Sequence, residues 1–202
     1  MNSIPGIVER RAALMQLLAA MEVPPNLNVN SEDRMVPGPE GAPDVRVRVY
    51  RPAAASGPLP GIYFIHGGGM ILGDIEGEGA AASAICDQVG AVGVSVDYRL
   101  APEHPHPAPV EDCYAGLTWM ARNAAELGID PERLAVYGGS ARGGLTIAVC
   151  MLARDRGFPA TASPTSTPRP PGPKTCPACR RPSSMRAPLT CSGTRTLPSR
   201  CG

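Results

Sequence analysis

Two glycine-rich stretches hold the residues whose types and spacing can do chemistry. Tyr137–Leu145 reads YGGSARGGL, with Ser140 between two pairs of glycines, and His66–Gly69 reads HGGG. A serine on a tight turn from strand to helix, flanked by small residues, is lifted clear of a sheet, where its hydroxyl can attack an acyl carbon. A run of glycines offers backbone N–H groups that can close on the negative charge such an attack develops on oxygen. The hydroxyl needs a base, and here the pattern is incomplete. All three histidines, His66, His104 and His106, precede the serine, and the one side-chain carboxylate after it is Asp155. Asp155 falls too soon, on the helix expected to follow Ser140 directly. His104 and His106 lie in EHPHPAP, a proline-rich loop where surface or packing roles are expected. One further residue breaks the small-residue pattern. Arg142, two positions after the serine, either strains a crowded turn or reaches solvent through a shifted helix start, and in both cases puts a guanidinium beside the glycine loops.

The elements that must position these stretches follow from periodicity. GIYFI (61–65), AVGVSV (91–96) and RLAVY (133–137) are short, continuous apolar runs, the mark of strands buried on both faces. Between them lie two helical stretches, GEGAAASAICDQV and VEDCYAGLTWMARNAAEL, the second with Val110, Leu117, Met120 and Ala124 on one side. Asp130-Pro131 reads as a capped turn before the third strand. Strand, helix, strand, helix, strand is a parallel α/β arrangement, and function in such sheets gathers at the carboxyl ends of the strands. HGGG follows the first of these strands, and GGSARGG follows the third. Ahead of them, DRMVPG and VRVRVYR (45–51) read as antiparallel strands joined by the turn PGPEGAPD. An amphipathic helix with Ile7, Leu14, Leu18 and Met21 along one face opens the chain. Its two arginines ahead of an apolar run imitate a signal peptide, but Gln16 breaks the run and no small-residue cleavage site follows. Cys86, Cys113 and Cys150 fall within helices and read as small core residues.

With these segments in view, residues 30–156 resemble the hormone-sensitive-lipase-like esterases of the α/β-hydrolase fold. The carrying segments are IHGGGMILGD, SVDYRLAPEHPHPAPVEDCYAGLTW and GIDPERLAVYGGSARGG. The resemblance implies an α/β fold of mostly parallel sheet with flanking helices, and hydrolysis of a small-molecule carboxylic ester through an acyl-enzyme, with no cofactor or metal. It implies Ser140 as the nucleophile and Gly68, Gly69 and Ala141 as oxyanion donors, with Gly67 completing the loop. His66 is implied to be structural, and the first helix to be part of a cap over the acyl pocket. The order expected of such enzymes is Ser, then Asp or Glu, then His. No histidine follows Ser140 in these 202 residues, so the chain as it stands is expected to be inactive, or a non-catalytic remnant with weak acyl-ligand binding.

The departure coincides with a change in composition. Residues 1–156 hold all 18 acidic residues against 12 arginines, a net charge of −6, whereas 157–202 hold six arginines and one lysine, a net +7. The later segment has 10 prolines and 13 serines or threonines, and no valine, isoleucine, tyrosine or tryptophan. Such a segment buries too little apolar surface to offset its ordering entropy, and disorder is expected. Its bias is that of a GC-rich gene read out of frame, which predicts a hydrolase continuation in an alternative frame after residue 158. Two sharper readings stand beside that one. CPAC (176–179) with Cys191 and Cys201 has zinc half-site character, weakened by the wide second spacing. The acid-free basic charge is also suited to nucleic acid. Accidental composition is the favoured reading, so neither nucleic acid nor metal is expected. The organisation expected is a cap-like helical segment over 1–30, an incomplete hydrolase domain over 31–156 and a disordered tail over 157–202. No apolar run reaches the roughly 20 residues of a membrane span, and a cytoplasmic location is expected. No strand is legible after 133–137, so its far edge is expected to be open and to favour self-association.

Overall fold

In the computed structural model, residues 6–20, 24–138 and 141–158 are described, with the backbone alone at 15, 18–20, 141 and 142. Helix α1 spans Ile7–Ala20, followed by strands β1 (Val29–Val36), β2 (Val45–Pro52) and β3 (Leu59–Ile65). Helix α2 (Ile75–Val89) leads to β4 (Val92–Asp97), α3 (Ala108–Arg122) and the single turn α4 (Ala124–Leu127). Strand β5 (Ile129–Tyr137) and helix α5 (Ala141–Asp155) complete the described elements. All lie within one compact unit, Met1–Thr167. The expected disorder of 157–202, the zinc reading of its cysteines and the placement of Met21 fall outside the described residues, apart from Gly157 and Phe158.

The five strands form one mixed sheet in the order β1-β2-β4-β3-β5. The pairs β1–β2 and β2–β4 are antiparallel, as the alternating valines and arginines of β2 allow on a sheet with one wetter margin. The pairs β3–β4 and β3–β5 are parallel, each joined through helices. Two of the apolar runs, 61–65 and 91–96, become the interior strands β3 and β4, with helices over their faces, while the third forms β5 at the margin of the described sheet. On one face Phe64 packs with Tyr50, Ala82 and Cys86, beneath α2. On the other, Tyr63 and Ile65 pack with Cys113, Leu117 and Met120 of α3 and with Leu145 and Val149 of α5. Tyr63 donates its O–H to Cys113 O at 2.8 Å. Gly116 makes room for it, since a Cβ there would sit 2.4 Å from the phenol oxygen.

Several sequence expectations are adjusted. The helical stretch 110–127 breaks at Asn123, whose Nδ2 donates to Trp119 O at 2.8 Å and satisfies a carbonyl at the end of α3. Asp130-Pro131 is no turn ahead of the strand but lies inside β5, where Glu132 N donates to Asp130 Oδ1 and the register with β3 shifts between Leu59 and Gly61. Cys86 and Cys113 are buried, and burial pushes the Cys86 thiol up to about 12 and the Cys113 thiol well above its ordinary range. Cys150 is exposed, contrary to expectation, because α5 buries the stripe Leu145, Val149 and Ala153 and turns Cys150 outward with Ile147 and Met151. Ile7 of α1 is buried and Leu14 half-buried, while Val8 and Leu17 face solvent.

Candidate active site

The parallel pairing of β3 with β5 places the ends of the two strands side by side, with Phe64 opposite Tyr137. The glycine loop therefore leaves the sheet next to the point where the serine turn leaves it, at the carboxyl ends where such sheets bind ligands. Gly139 and Ser140 lie outside the described residues, between the last residue of β5 and Ala141, the first of α5. Arg142 belongs to the first turn of α5, and its side chain is outside the described residues, so the strained and solvent-reaching alternatives stay open.

The glycine loop has a backbone that few other residues tolerate. Gly68 has φ +118, and a Cβ on it would lie 2.0 Å from Leu72 O. At Gly73, with φ +87, a Cβ would lie 2.4 Å from Gly67 O and 2.9 Å from His66 Nδ1. Between them, Gly68 O accepts from Ile71 N at 3.1 Å and from Leu72 N at 2.9 Å, closing a turn. Asp74 then caps α2 by accepting from Gly77 N at 2.8 Å.

His66 is a structural member of this loop. It is buried, its Nδ1 lies 2.9 Å from Gly67 O, and its ring stacks on Tyr98 with centroids 4.1 Å apart and an interplanar angle of 7°. A carbonyl oxygen only accepts, so that bond requires the proton on Nδ1. Tyr98 O–H in turn donates to His66 O at 2.9 Å. His104 and His106 are both exposed, as the loop EHPHPAP predicts.

Three supports escape a reading of the sequence by motifs alone. Asp112, wholly buried on α3, accepts from Arg99 N at 3.0 Å, Nε at 2.8 Å and NH2 at 2.7 Å, anchoring the segment after β4. Such a charge is tolerated only because it is fully paired. Arg11 of α1 reaches Ile71 O, Ala101 O and Glu103, contacts between parts of the chain some 60 to 92 residues apart that no local pattern announces. Asp97, at the end of β4, is raised by burial, but β4 lies on the far side of β3 from β5. The signal that was available is modest: Tyr98, Arg99 and Asp112 all fall in the segments that carry the family resemblance.

A cavity of about 750 Å³ lies at the opposite end of the sheet, lined by Pro58, Ala121, Gly128 and Ile129 with Asp130 and Arg133. Its charged pair is already satisfied, with Arg133 Nε 2.6 Å from Asp130 Oδ2. The chemistry-bearing residues are elsewhere. Among the described residues no group of three or more His, Cys, Asp or Glu side chains is placed to hold a metal ion, and no helix is long and apolar enough to cross a membrane.

Comparison with known proteins agrees with the geometry. Residues 62–175 match a family described as having the alpha/beta hydrolase fold, so the match runs beyond residue 156, the end of the resemblance read from the sequence. The chain is 46% identical over 154 residues to the carboxylesterase NlhH of Mycobacterium tuberculosis, covering 76% of this chain and 47% of that protein. It is 43% identical over 151 residues to the carboxylic ester hydrolase LipN of the same organism, covering 74% of this chain and 39% of the relative. Among solved structures, a bacterial heroin esterase superposes with a TM-score of 0.72 at 39% identity, over 75% of this chain and 48% of that one. The chain thus spans about half the length of the curated relatives it matches, or less.

Proposed function

The chain belongs to the α/β-hydrolase fold family, among its hormone-sensitive-lipase-like esterases, and from that premise we propose that Ser140 and the HGGG loop form the acyl-transfer site of a carboxylic-ester hydrolase. The observation that carries this reading is the neighbouring of β3 and β5, which brings the glycine loop and the serine turn to adjacent strand ends. In the proposed reaction Ser140 Oγ attacks the carbonyl carbon of a small ester, and the N–H groups of Gly68, Gly69 and Ala141 receive the oxyanion, with Gly67 completing the loop. The alcohol leaves with a proton, and water releases the acid. No cofactor takes part.

Turnover by these 202 residues is limited by the base. A serine hydroxyl without a general base is a weak nucleophile, and no histidine follows Ser140 in the sequence. Incubation with a short-chain nitrophenyl ester, beside Ser140→Ala, tests the reading. The expected result is turnover matching that of the control, since oxyanion donors alone leave residual catalysis. A Ser140-dependent burst of acyl-enzyme would reveal a base other than a downstream histidine. We propose further that the composition of 157–202 reflects a frame change. DNA whose alternative frames carry no Asp- and His-bearing hydrolase continuation after residue 158 would refute that. The buried free thiols of Cys86 and Cys113 accord with a reducing, cytoplasmic location.

A second reading, a non-catalytic module that self-associates, is favoured by one observation. Tyr137 is 46% exposed at the end of β5, and Ile147 and Met151 of α5 are 63% and 49% exposed. Sedimentation over a concentration series distinguishes the readings, because a monomer at every concentration excludes association through this side.

A further inference from the structure

Arg11 of α1 donates hydrogen bonds to two loops beside the candidate site. Its Nε donates to Ile71 O at 2.8 Å, and its NH2 donates to Ala101 O at 2.7 Å. Glu103 accepts from NH1 at 2.7 Å and from NH2 at 2.9 Å, so the same guanidinium also holds a bidentate carboxylate pair. Ile71 lies in the turn closed by Gly68 O, immediately after the HGGG loop, and Ala101 N donates to Met70 O at 2.9 Å. The two segments therefore meet at Met70 and Ala101, and Arg11 lies across the junction. Met70 itself has φ +62, a conformation uncommon for a side-chain-bearing residue, so this turn needs outside support. Ile7, one turn before Arg11 on α1, is 6% exposed.

We propose that Arg11 is a positioning residue of the oxyanion loop: its planar fork locks the turn after HGGG to the Leu100–Glu103 segment, so the loop's geometry depends on the docking of α1. The geometry suits arginine alone. Three acceptors on two loops need several donors in a fixed plane, which a lysine ammonium on a flexible stem does not supply. The name given to the loop rests on the proposed esterase reading, but the coupling is a statement about loop order and stands or falls without any chemistry.

Amide hydrogen exchange on the full 202-residue chain tests it. The reporters are the peptides spanning Gly69–Gly73 and Arg99–His104, with β3 and β4 as internal references. Arg11→Met is expected to speed exchange at Ile71, Leu72 and Ala101 by about tenfold or more, as loss of charge-assisted hydrogen bonds frees a local opening, with β3 and β4 unchanged. Arg11→Lys is expected to leave them fast, and Glu103→Gln to raise them severalfold with the carbonyl bonds still in place. Faster exchange confined to α1, with the loop amides unchanged, would show that Arg11 only docks its helix and would overturn the proposal. Full restoration by lysine would overturn the fork geometry. Should Arg11→Met fail to fold, Arg11→Lys and Glu103→Gln decide the question, and loop protection at the parent level in both rejects the proposal. Ester turnover and labelling of Ser140 by a fluorophosphonate read the catalytic assignment separately, so failure there leaves the exchange result standing.

Discussion

The two halves of the candidate site rest on unequal foundations. The glycine loop springs from β3, which is paired on both edges and buried at Tyr63, Phe64 and Ile65, next to β4, whose first five residues are all buried. The serine turn springs from β5, which among the described residues pairs with β3 alone and shows buried side chains only at Ile129 and Leu134. The helices repeat the contrast. Helix α3 buries Val110, Cys113, Leu117 and Met120, while α5 buries one stripe and leaves Ile147 and Met151 in solvent. The glycine loop thus leaves a strand of the interior, whereas the strand that leads towards Ser140 stands at the margin of the described sheet.

The largest test of this contrast is Phe64→Ala. Phe64 is 1% exposed and packs edge-on against Tyr50, so its loss is expected to cost about 3–5 kcal/mol by urea unfolding. A loss below about 1 kcal/mol would mean that the interior half is looser than its burial implies. Next is Asp112→Ala, which strands Arg99 and an N–H beside the site. Removing one partner of a buried ion pair is expected to cost about 3 kcal/mol, and a neutral result would break the assignment of Asp112 as the anchor of this loop.

Association comes third. Replacing Ile147 by lysine on the marginal half is expected to lower any concentration-dependent mass seen by sedimentation, with the fold retained, because a charge on an exposed apolar face opposes pairing. Unchanged association would place the contact elsewhere.

A smaller effect concerns acid. Asp33 of β1 is held down to about 2 from 3.8, first by a hydrogen bond from Arg48 and then by Arg46, against the opposing effect of burial. A depressed carboxyl stabilises the fold fully above its unfolded pKa, and this is lost as pH falls towards the folded value. The stability gap between the parent and Asp33→Asn should therefore close between about pH 4 and pH 2, and a gap constant through that window would show that the pairing does not contribute. The smallest effect is expected for Ile147→Ala, within about 0.5 kcal/mol, since the side chain is in water. A loss as large as that of a core residue would show that the outer face of α5 is covered.

The sequence by itself determined the parallel core and its chemistry-bearing ends. Continuous apolar runs at 61–65, 91–96 and 133–137 emerge as β3, β4 and β5. For β3 and β4 the reason is that a strand covered on both faces has no place for alternation, whereas β5 is apolar but only partly covered. The glycines of HGGG were legible for a similar reason: at Gly68 even a methyl group would overlap Leu72 O. The family resemblance was legible in the same segments. What only the tertiary structure decided lies in contacts between distant parts of the chain. Strand order put β3 between β4 and β5 and so set Tyr137, shortly before Ser140 in the sequence, beside the end of the strand that leads into HGGG, although some 70 residues separate the two motifs. The break at Asn123, the absorption of Asp130-Pro131 into β5 and the outward turn of Cys150 each depend on what a neighbour offers, a carbonyl, a strand edge or open solvent. Arg11 is the clearest case. In the sequence it is one of two arginines before an apolar run, and its role is set by two carbonyls and a carboxylate that only folding delivers to it.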